Sequence, residues 1–361
     1  MYTERTSVGL DVHARSTVAW GLDGLTGEVF AERLTPSTAD VVAWLARLPG
    51  PVAVAYEAGP TGYGLARALE AAGIRCVVVA PSKMERPAGD RVKTDRRDAE
   101  RLARLLRLDE LPAVRVPTPD QEAARDLLRS REDTRADLMR ARHRLSKLLL
   151  RHGIVYDSGK AWTGVHHQWL AAHRFESFAL QTAYDEALET VLALEARRDR
   201  LDRAIHELAA QPQWAPLVAR LACLRGISTL TGLGLAVEIG DWSRFTGSTI
   251  GAYLGLVPTE HSSGGQRRQG GITKTGNTHA RRLLVEAAWH HRRPYRRPSV
   301  ALRARLDQVP APVRQRAELG NRRLNQRWAG LDARAKRPTI SVVAVARELS
   351  GWCWSLAVMQ D

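Results

Sequence analysis

The stretch SVGLDVHARSTVAWGLDGLTGEVFAERL, residues 7–34, contains three short runs of strand-forming residues. These runs are Ser7 to Val12, Ser16 to Leu22 and Glu28 to Leu34, and turn-forming residues such as Gly24 separate them. Short apolar and β-branched runs favour strands, and glycines favour the turns between them. The stretch therefore predicts an antiparallel meander of three strands.

The residues after the meander alternate between helical and strand-like patterns. The predicted elements are a helix from Thr38 to Leu48, a strand from Val52 to Glu57, a helix from Tyr63 to Ala72, a strand from Cys76 to Val79 and a basic helix from Thr94 to Leu108. A meander followed by this alternation is the element order of a ribonuclease-H-like domain, so we expect an α/β fold here.

A charged helical segment from Gln121 to His152 follows a proline-rich break at residues 112–119. Leucines one heptad apart predict two long helices that pack along apolar seams. These leucines are Leu138 and Leu145 in one helix and Leu194, Leu201 and Leu208 in the other. We therefore predict an α/β domain over residues 1–114, a helical coiled-coil connector over 115–212 and a mostly helical domain over 213–361.

The last predicted domain contains a glycine-rich basic loop and then a helix from about Thr278 to His291. The apolar stretch from Ile340 to Val358 predicts a further helix. Residues 294–361 otherwise carry no motif that indicates chemistry.

The chain is strongly basic, because 54 Lys and Arg residues exceed 39 Asp and Glu residues and give a net charge of +15. Such a charge indicates a polyanionic partner, either nucleic acid or a membrane surface. No apolar run approaches the roughly 20 residues of a spanning helix, and the first residues lack the layout of a secretory signal. We therefore expect a nucleic-acid partner in the cytoplasm, at the nucleoid, and no membrane. The cysteines, Cys76, Cys223 and Cys353, lack CxxC spacing and are predicted to be reduced core residues.

Four acidic residues stand where the predicted α/β domain would bring them together. Asp11 and Glu57 end two predicted strands, so both carboxylates would emerge at one rim of the sheet. Asp95 and Asp98 are three residues apart at a helix start, which puts them on one face of its first turn. Such oxygen ligands suit Mg²⁺, with Mn²⁺ as the alternative, and a pair of ions about 4 Å apart assists phosphodiester displacement. Taken singly, each acid is more commonly a strand cap or an ion-pair partner of nearby arginines.

The run HSSGGQRRQGGITKTGN, residues 261–277, combines serines, glycines and cations. Glycines permit close approach to the backbone, and N–H groups at the start of a helix suit a phosphate. The candidate nucleic-acid contacts are Arg267, Arg268, Lys274, Arg281 and Arg282. The residues alone favour a basic loop that grips a nucleic-acid backbone.

Several strings resemble the DEDD transposases of bacterial insertion sequences, a family that includes the pilin-gene inverting recombinases. They are GLDVHARSTVAW at residues 9–20, YEAGPTGYGLARAL at 56–69 and GDRVKTDRRDAERLARLL at 89–106, and the likeness continues to about residue 292. The resemblance implies a RuvC-like domain with a metal-binding acidic tetrad at Asp11, Glu57, Asp95 and Asp98. It departs at Ala14, where many members have lysine after DVH.

The same resemblance implies a covalent step in the carboxy-terminal serine domain. A serine in an SG motif is implied to attack a DNA phosphodiester, and Ser263 matches it, with Ser262 open as the neighbouring alternative. The family also implies a structured noncoding RNA that pairs with donor and target DNA. Strand exchange around two duplexes implies a homo-oligomer, a dimer or tetramer, and we expect the leucine seams to support it.

Two other functions stay open at this point. A RuvC-like junction nuclease would hydrolyse DNA and leave free ends with no protein attached. A non-catalytic nucleic-acid-binding protein would bind without cleaving, although the intact acids and Ser263 argue against it.

Overall fold

The computed structural model describes residues 4–81, 84, 94–262, 265–266 and 268–359. The chain folds as two compact units, one ending at Thr118 and the other beginning at Pro119. The first unit is α/β, and the second is mostly helical. Within the described ranges, no helix is both long and apolar enough to cross a membrane.

A five-stranded sheet forms the centre of the first unit. Its strands are β1 (Thr6–Val12), β2 (Thr17–Asp23), β3 (Val29–Leu34), β4 (Val52–Glu57) and β5 (Arg75–Val79), in the order β3-β2-β1-β4-β5. The first three strands are antiparallel, whereas β4 is parallel to β1 and β5 is parallel to β4. The predicted meander and α/β alternation are confirmed, and this mixed sheet is consistent with a RuvC-like domain.

Helices cover both faces of the sheet. They are α1 (Thr38–Leu45), α2 (Gly64–Ala71) and α3 (Asp95–Arg107). Successive residues of a strand point to opposite faces, so each strand contributes to two cores. Val8 and Leu10 of β1 pack with Leu69 of α2 on one face. On the other face, Ala55 of β4 packs with Leu102 of α3.

Helices dominate the second unit. In chain order its elements are α4 (Pro119–Arg151), α5 (Gly164–Ala172), α6 (Phe178–Ala209), α7 (Ala215–Leu221), α8 (Thr229–Ile239), α9 (Thr249–Tyr253), β6 (Pro258–Glu260), β7 (Gln269–Ile272), α10 (Thr278–Ala288), a 3-10 turn (Trp289–Arg292), α11 (Val300–Leu306), α12 (Ala311–Asp332) and α13 (Pro338–Ala357). The helices predicted over 121–152, 278–291 and 340–358 are confirmed, although the second of these tightens into the 3-10 turn after residue 288. Helix α12 was not predicted from the sequence.

Helices α4 and α6 form a long antiparallel pair. Arg131 of α4 pairs with Asp202 of α6 at 2.7 Å, and further along α4 Arg142 pairs with Glu195. These two ion pairs show that the helices are antiparallel, because residue numbers rise along α4 while those of their partners in α6 fall. Between these helices, Leu145 lies in one buried cluster with Val191.

This pairing corrects the expectation that the leucine seams join copies of the chain. Leu138 is 3% exposed and Leu145 is 0% exposed within a single chain, so a second copy has no access to them. Leu194, Leu201 and Leu208 of α6 are each half-buried. An oligomer would need another surface, and its size stays a prediction.

The carboxy-terminal half of the second unit has a core of its own, built from helices that include α8, α10, α12 and α13. Pro312 and Pro338 lie in the first turns of α12 and α13, where the missing N–H leaves no helical hydrogen bond unmade. Cys223 and Cys353 are buried free thiols in this core, as predicted, whereas Cys76 is a half-buried free thiol of the first unit.

Candidate functional site

The pairing of β1 with β4 sets Asp11 beside Glu57. The parallel register matches Leu10 with Tyr56, so Asp11 and Glu57 are the next residues on adjacent strands. Residues matched in a parallel register emerge on the same face of the sheet. Both residues are half-buried, close to the carboxyl ends of their strands.

A threonine cap fixes where α3 begins. The Thr94 hydroxyl accepts a hydrogen bond from the Arg97 backbone N–H at 3.3 Å. Threonine is a favoured N-cap because its oxygen satisfies one of the free N–H groups of the first turn. Asp95 and Asp98 both lie in that turn, where the helix dipole favours negative charge.

Gly9 allows α3 to lie directly on β1. A Cβ atom at position 9 would lie 1.9 Å from the Ala99 carbonyl oxygen and 2.7 Å from the Ala103 nitrogen, closer than Cβ contacts found in proteins. Any side chain at this position would therefore push the helix away. Because Gly9 is two residues before Asp11, the close approach brings the first turn of α3 to the end of β1.

Three side chains of metal-ligand type meet at this place: Asp11, His13 and Asp95. The His13 Nε2 atom lies 3.1 Å from Asp11 Oδ2 and 3.9 Å from Asp95 Oδ1. One ligand atom from each residue lies within 4.8 Å of the others, and the part of the chain that the structure describes holds no second such group. His13 was not predicted as a site residue from the sequence. Its signal was the spacing from Asp11, because side chains two residues apart in extended backbone share a face.

Glu57 follows the strand register beside Asp11, and Asp98 shares the first turn of α3 with Asp95, but neither is a member of this group. Arg33 reaches the site from β3, and its guanidinium donates to Asp95 Oδ2 at 3.4 Å and to Ser16 Oγ at 3.2 Å. The Asp11 side chain is 20% exposed and that of Asp95 is 45% exposed, so solvent and a substrate have access to the carboxylates.

The site concentrates negative charge around Asp11. Burial raises the pKa of the Asp11 carboxyl, the hydrogen bond and charge of His13 lower it, and the charges of Asp95 and Asp98 raise it, with a net shift upward. A divalent cation favours the ionised carboxylates and removes their mutual repulsion. Carboxylate oxygens are the ligands that Mg²⁺ and Mn²⁺ prefer, so Asp11 and Asp95 fit such an ion.

The predicted serine loop contains a short antiparallel hairpin of β6 and β7. Ser262 stabilises this hairpin, because its Oγ donates to Glu260 Oε1 at 2.9 Å and accepts from the Arg268 N–H at 3.3 Å. Ser263 and Arg267 lie outside the described residues, so their roles stay predictions.

The other predicted nucleic-acid contacts fall into two groups. Arg268 and Lys274 are exposed. Arg281 donates to the carbonyl oxygens of Leu254 at 2.9 Å and Thr275 at 2.7 Å, and burial lowers its pKa. Arg282 pairs with two glutamates within the same unit, at 2.6 and 2.8 Å. The exposed pair is therefore better placed for nucleic acid, and the roles of all four stay predictions.

Glu238 of α8 is a positioning residue that the sequence analysis missed. It is 2% exposed, accepts a hydrogen bond from Asn277 Nδ2 at 2.6 Å, and lies 3.1 Å from His279 Nδ1. Burial raises the Glu238 pKa, but the hydrogen bonds from His279 and Asn277 and the charge of Arg129 outweigh burial and leave the pKa below its ordinary value. Asn277 is also the N-cap of α10, accepting from the Ala280 N–H at 2.9 Å. Glu238 is therefore a buried anion that fixes the start of α10, just after the hairpin.

Comparison with known proteins decides the family. A family model for DEDD transposases of the IS110 type, described as a transposase, matches residues 8–154. A second model, described as the transposase IS116/IS110/IS902 family, matches residues 218–300. The chain belongs to this family of insertion-sequence transposases. Transposases cut and join DNA, so membership implies a DNA substrate and is in keeping with divalent-metal use at the acidic cluster.

Relatives within the family are similar along most of the chain. The putative transposase y4qE of Sinorhizobium fredii is 40% identical over 360 residues, which cover 97% of this chain and 88% of that protein. The transposase for insertion sequence element IS1533 of Leptospira borgpetersenii is 32% identical over 338 residues, 91% of this chain and 97% of that protein. A probable family 20 transposase of Pseudomonas aeruginosa is 31% identical over 291 residues, 78% and 82% of the two chains.

Proposed function

We propose that this transposase cuts and rejoins DNA through a metal-assisted acidic tetrad and a covalent phosphoserine link. In this proposal Asp11, Glu57, Asp95 and Asp98 hold divalent cations, and Ser263 is the nucleophile. The observation that carries the proposal is the convergence of Asp11, His13 and Asp95 within 4.8 Å, at the strand end where Glu57 also lies.

The acidic site has the parts that phosphodiester displacement needs. Mg²⁺, as two ions, or Mn²⁺ in its place, supplies Lewis-acid activation of the reacting oxygens when bound. Asp11 and Asp95 offer hard oxygen ligands, and Glu57 and Asp98 extend the same acidic surface. His13 orients the Asp11 carboxylate through its 3.1 Å contact.

The covalent step belongs to Ser263. Its Oγ forms a bond to the phosphorus as the bond from phosphorus to a deoxyribose oxygen breaks. The serine proton passes to a base, and the leaving deoxyribose oxygen takes up a proton. The phosphoserine ester conserves the phosphodiester energy, so a DNA hydroxyl can reverse the step and rejoin a strand. A serine hydroxyl is a weak nucleophile at neutral pH and needs such a base or a metal. Arg267, Arg268 and Lys274 would neutralise the phosphate.

We further propose that a structured noncoding RNA, paired with donor and target DNA, sets the site of recombination. A net charge of +15 is favourable for binding two kinds of nucleic acid at once. A homo-oligomer would place more than one active site around the two duplexes.

Strand cleavage of DNA that carries the element ends, in Mg²⁺ and with the RNA from beside the gene, tests the proposal. Asp11→Asn and Asp98→Asn should abolish cleavage while nucleic-acid binding persists, because basic surfaces supply most of the affinity. The matched control is Asp109→Asn, since Asp109 is an exposed acid of the same unit that pairs with Arg75 at 3.3 Å. Cleavage by Asp11→Asn at the wild-type level would overturn the metal role. Free DNA ends with no attached protein would instead favour the junction nuclease.

A further inference from the structure

A cavity of about 820 Å³ lies within the second unit, away from the serine hairpin in sequence. Residues 224–228, just before α8, form one wall, and residues 289–305 form the rest. Its volume falls in the range of about 300–1,000 Å³ that is typical of small-ligand sites. Nothing in the acidic or serine chemistry uses it.

The charge of the cavity wall has one sign. Four arginines line it: Arg225, Arg293, Arg297 and Arg305. His290 lines it as well, and the described lining includes no carboxylate. The arginine wall is therefore suited to an anion, and the buried apolar residues Ile227 and Leu302 also line the cavity.

Aromatic rings complete the cavity. Trp289 is 39% exposed, and its ring is backed by the buried Trp328, with ring centroids 5.5 Å apart. The Arg225 guanidinium lies over the Tyr295 ring, 5.3 Å from its centroid. The two ring planes are tilted by 46°, and this contact holds the exposed indole in place. The indole is therefore a preformed stacking surface that loses little freedom when a ligand ring covers it.

Two asparagines of α12 hold the backbone that carries these side chains. Asn321, 0% exposed, accepts from the Arg225 N–H at 2.8 Å and donates to the Cys223 carbonyl oxygen at 3.0 Å. Asn325 donates to the carbonyl oxygens of His291 and Arg293, at 2.9 and 3.0 Å. Both cavity walls are thus tied to one helix.

Gly226 makes the first wall possible. Its φ of +83° is left-handed, and a Cβ there would lie 2.3 Å from the Ala287 carbonyl oxygen at the end of α10. Arg305 of α11 donates to the Ile227 carbonyl oxygen at 3.0 Å and supports the same turn. The cavity is therefore a built feature of the fold.

We propose that this cavity holds an unpaired nucleotide of a single-stranded nucleic acid, with its base on Trp289 and its phosphates at Arg293 and Arg297. Bases within a duplex are already stacked on their neighbours, so an aromatic surface inside a cavity selects nucleotides that are unpaired. The proposal rests on the proposed function, because strand exchange exposes unpaired DNA and a structured RNA has unpaired loops. Either source presents the same base and phosphate chemistry.

The test measures the affinity of the full chain for short oligonucleotides by fluorescence anisotropy, with a metal chelator in the buffer to prevent cleavage. Removing one base-stacking ring costs about 5- to 150-fold in affinity. Trp289→Ala should therefore weaken binding of single strands by about this factor, whereas Trp289→Phe should keep most of the wild-type affinity. The affinity of Trp289→Ala for a duplex of the same sequence should change little. Arg297→Gln should weaken single-strand binding and reduce its salt dependence.

Matched controls lie elsewhere in the same unit. Phe178→Ala removes a ring that is 85% exposed on α6, and Arg334→Gln removes an exposed guanidinium that donates to the Gly330 carbonyl oxygen. Both should bind like the wild type. The assay is run with a DNA and an RNA single-stranded oligonucleotide of the same sequence. Preference for either one supports the proposal and shows whether the natural ligand is DNA or RNA. Wild-type single-strand binding by both Trp289→Ala and Arg297→Gln would overturn it, as would equal losses for single strand and duplex. Because no cleavage is involved, failure here is distinguishable from failure of the acidic site.

Discussion

Replacing Gly9 with alanine should reduce the rate of DNA cleavage strongly while the protein still folds. The added Cβ would lie 1.9 Å from the Ala99 carbonyl oxygen, and Cβ contacts in proteins are essentially never shorter than 3.0 Å. Helix α3 must therefore move off β1 by roughly 1 Å, which carries Asp95 and Asp98 away from Asp11. Overpacking of this kind costs about 1–3 kcal/mol of unfolding free energy. A misplacement of about 1 Å at a reacting site costs roughly 100-fold in rate.

The assay measures urea unfolding and DNA strand cleavage in Mg²⁺ on the same Gly9→Ala sample. Gly21→Ala is the matched control, because Gly21 lies on the adjacent strand and a Cβ there would meet nothing closer than Val8 Cγ2 at 3.3 Å. We expect Gly21→Ala to keep both stability and cleavage near wild type. If Gly9→Ala keeps wild-type cleavage, the close approach of α3 to β1 does not position the carboxylates and the reasoning fails.

Four further outcomes are expected. His13→Ala should weaken Mn²⁺ binding about 10- to 100-fold by calorimetry, because the ring orients Asp11, and unchanged affinity would refute this. Glu238→Gln should lower the unfolding free energy by about 1–3 kcal/mol, whereas the exposed Glu286→Gln should not. Burial lowers the pKa of His291 to about 3. The unfolded chain therefore binds a proton that the folded chain lacks, and the unfolding free energy should fall by about 2 kcal/mol from pH 7 to pH 5, a loss absent from His291→Gln in denaturant titrations. Ser262→Ala should retain strand cleavage with a lower rate, since it loosens the hairpin only; complete loss would assign it a chemical role.

The sheet of the first unit was predictable because its signals are local. The runs within residues 7–34 and the strand ending at Glu57 are short, apolar and bounded by turn formers. The register that sets Asp11 beside Glu57 follows once β1 and β4 are parallel neighbours. The sequence alone therefore predicted that both carboxylates lie at one rim of the sheet.

The parts that could not be predicted depend on long-range packing. The apolar face of α12 includes Val313, Ala317, Leu324 and Trp328, but arginines between them obscure the period. Glu238 is an acid in an apolar helix, and its burial is explained by hydrogen bonds with Asn277 and His279, which lie 39 and 41 residues later in the chain. The leucine spacing correctly predicted that α4 and α6 pack along an apolar seam, but it did not reveal that this packing buries Leu138 and Leu145 within one chain.

Mass-spectrometric mapping of the protein–DNA adduct formed during cleavage in Mg²⁺ tests the central claim most directly. The wild-type transposase should carry DNA on Ser263, and the adduct should be absent from both Ser263→Ala and Asp11→Asn. Attachment at Ser262 would move the nucleophile by one residue. Cleaved DNA with no attached protein, or an adduct undiminished in Asp11→Asn, would contradict a metal-assisted phosphoserine mechanism.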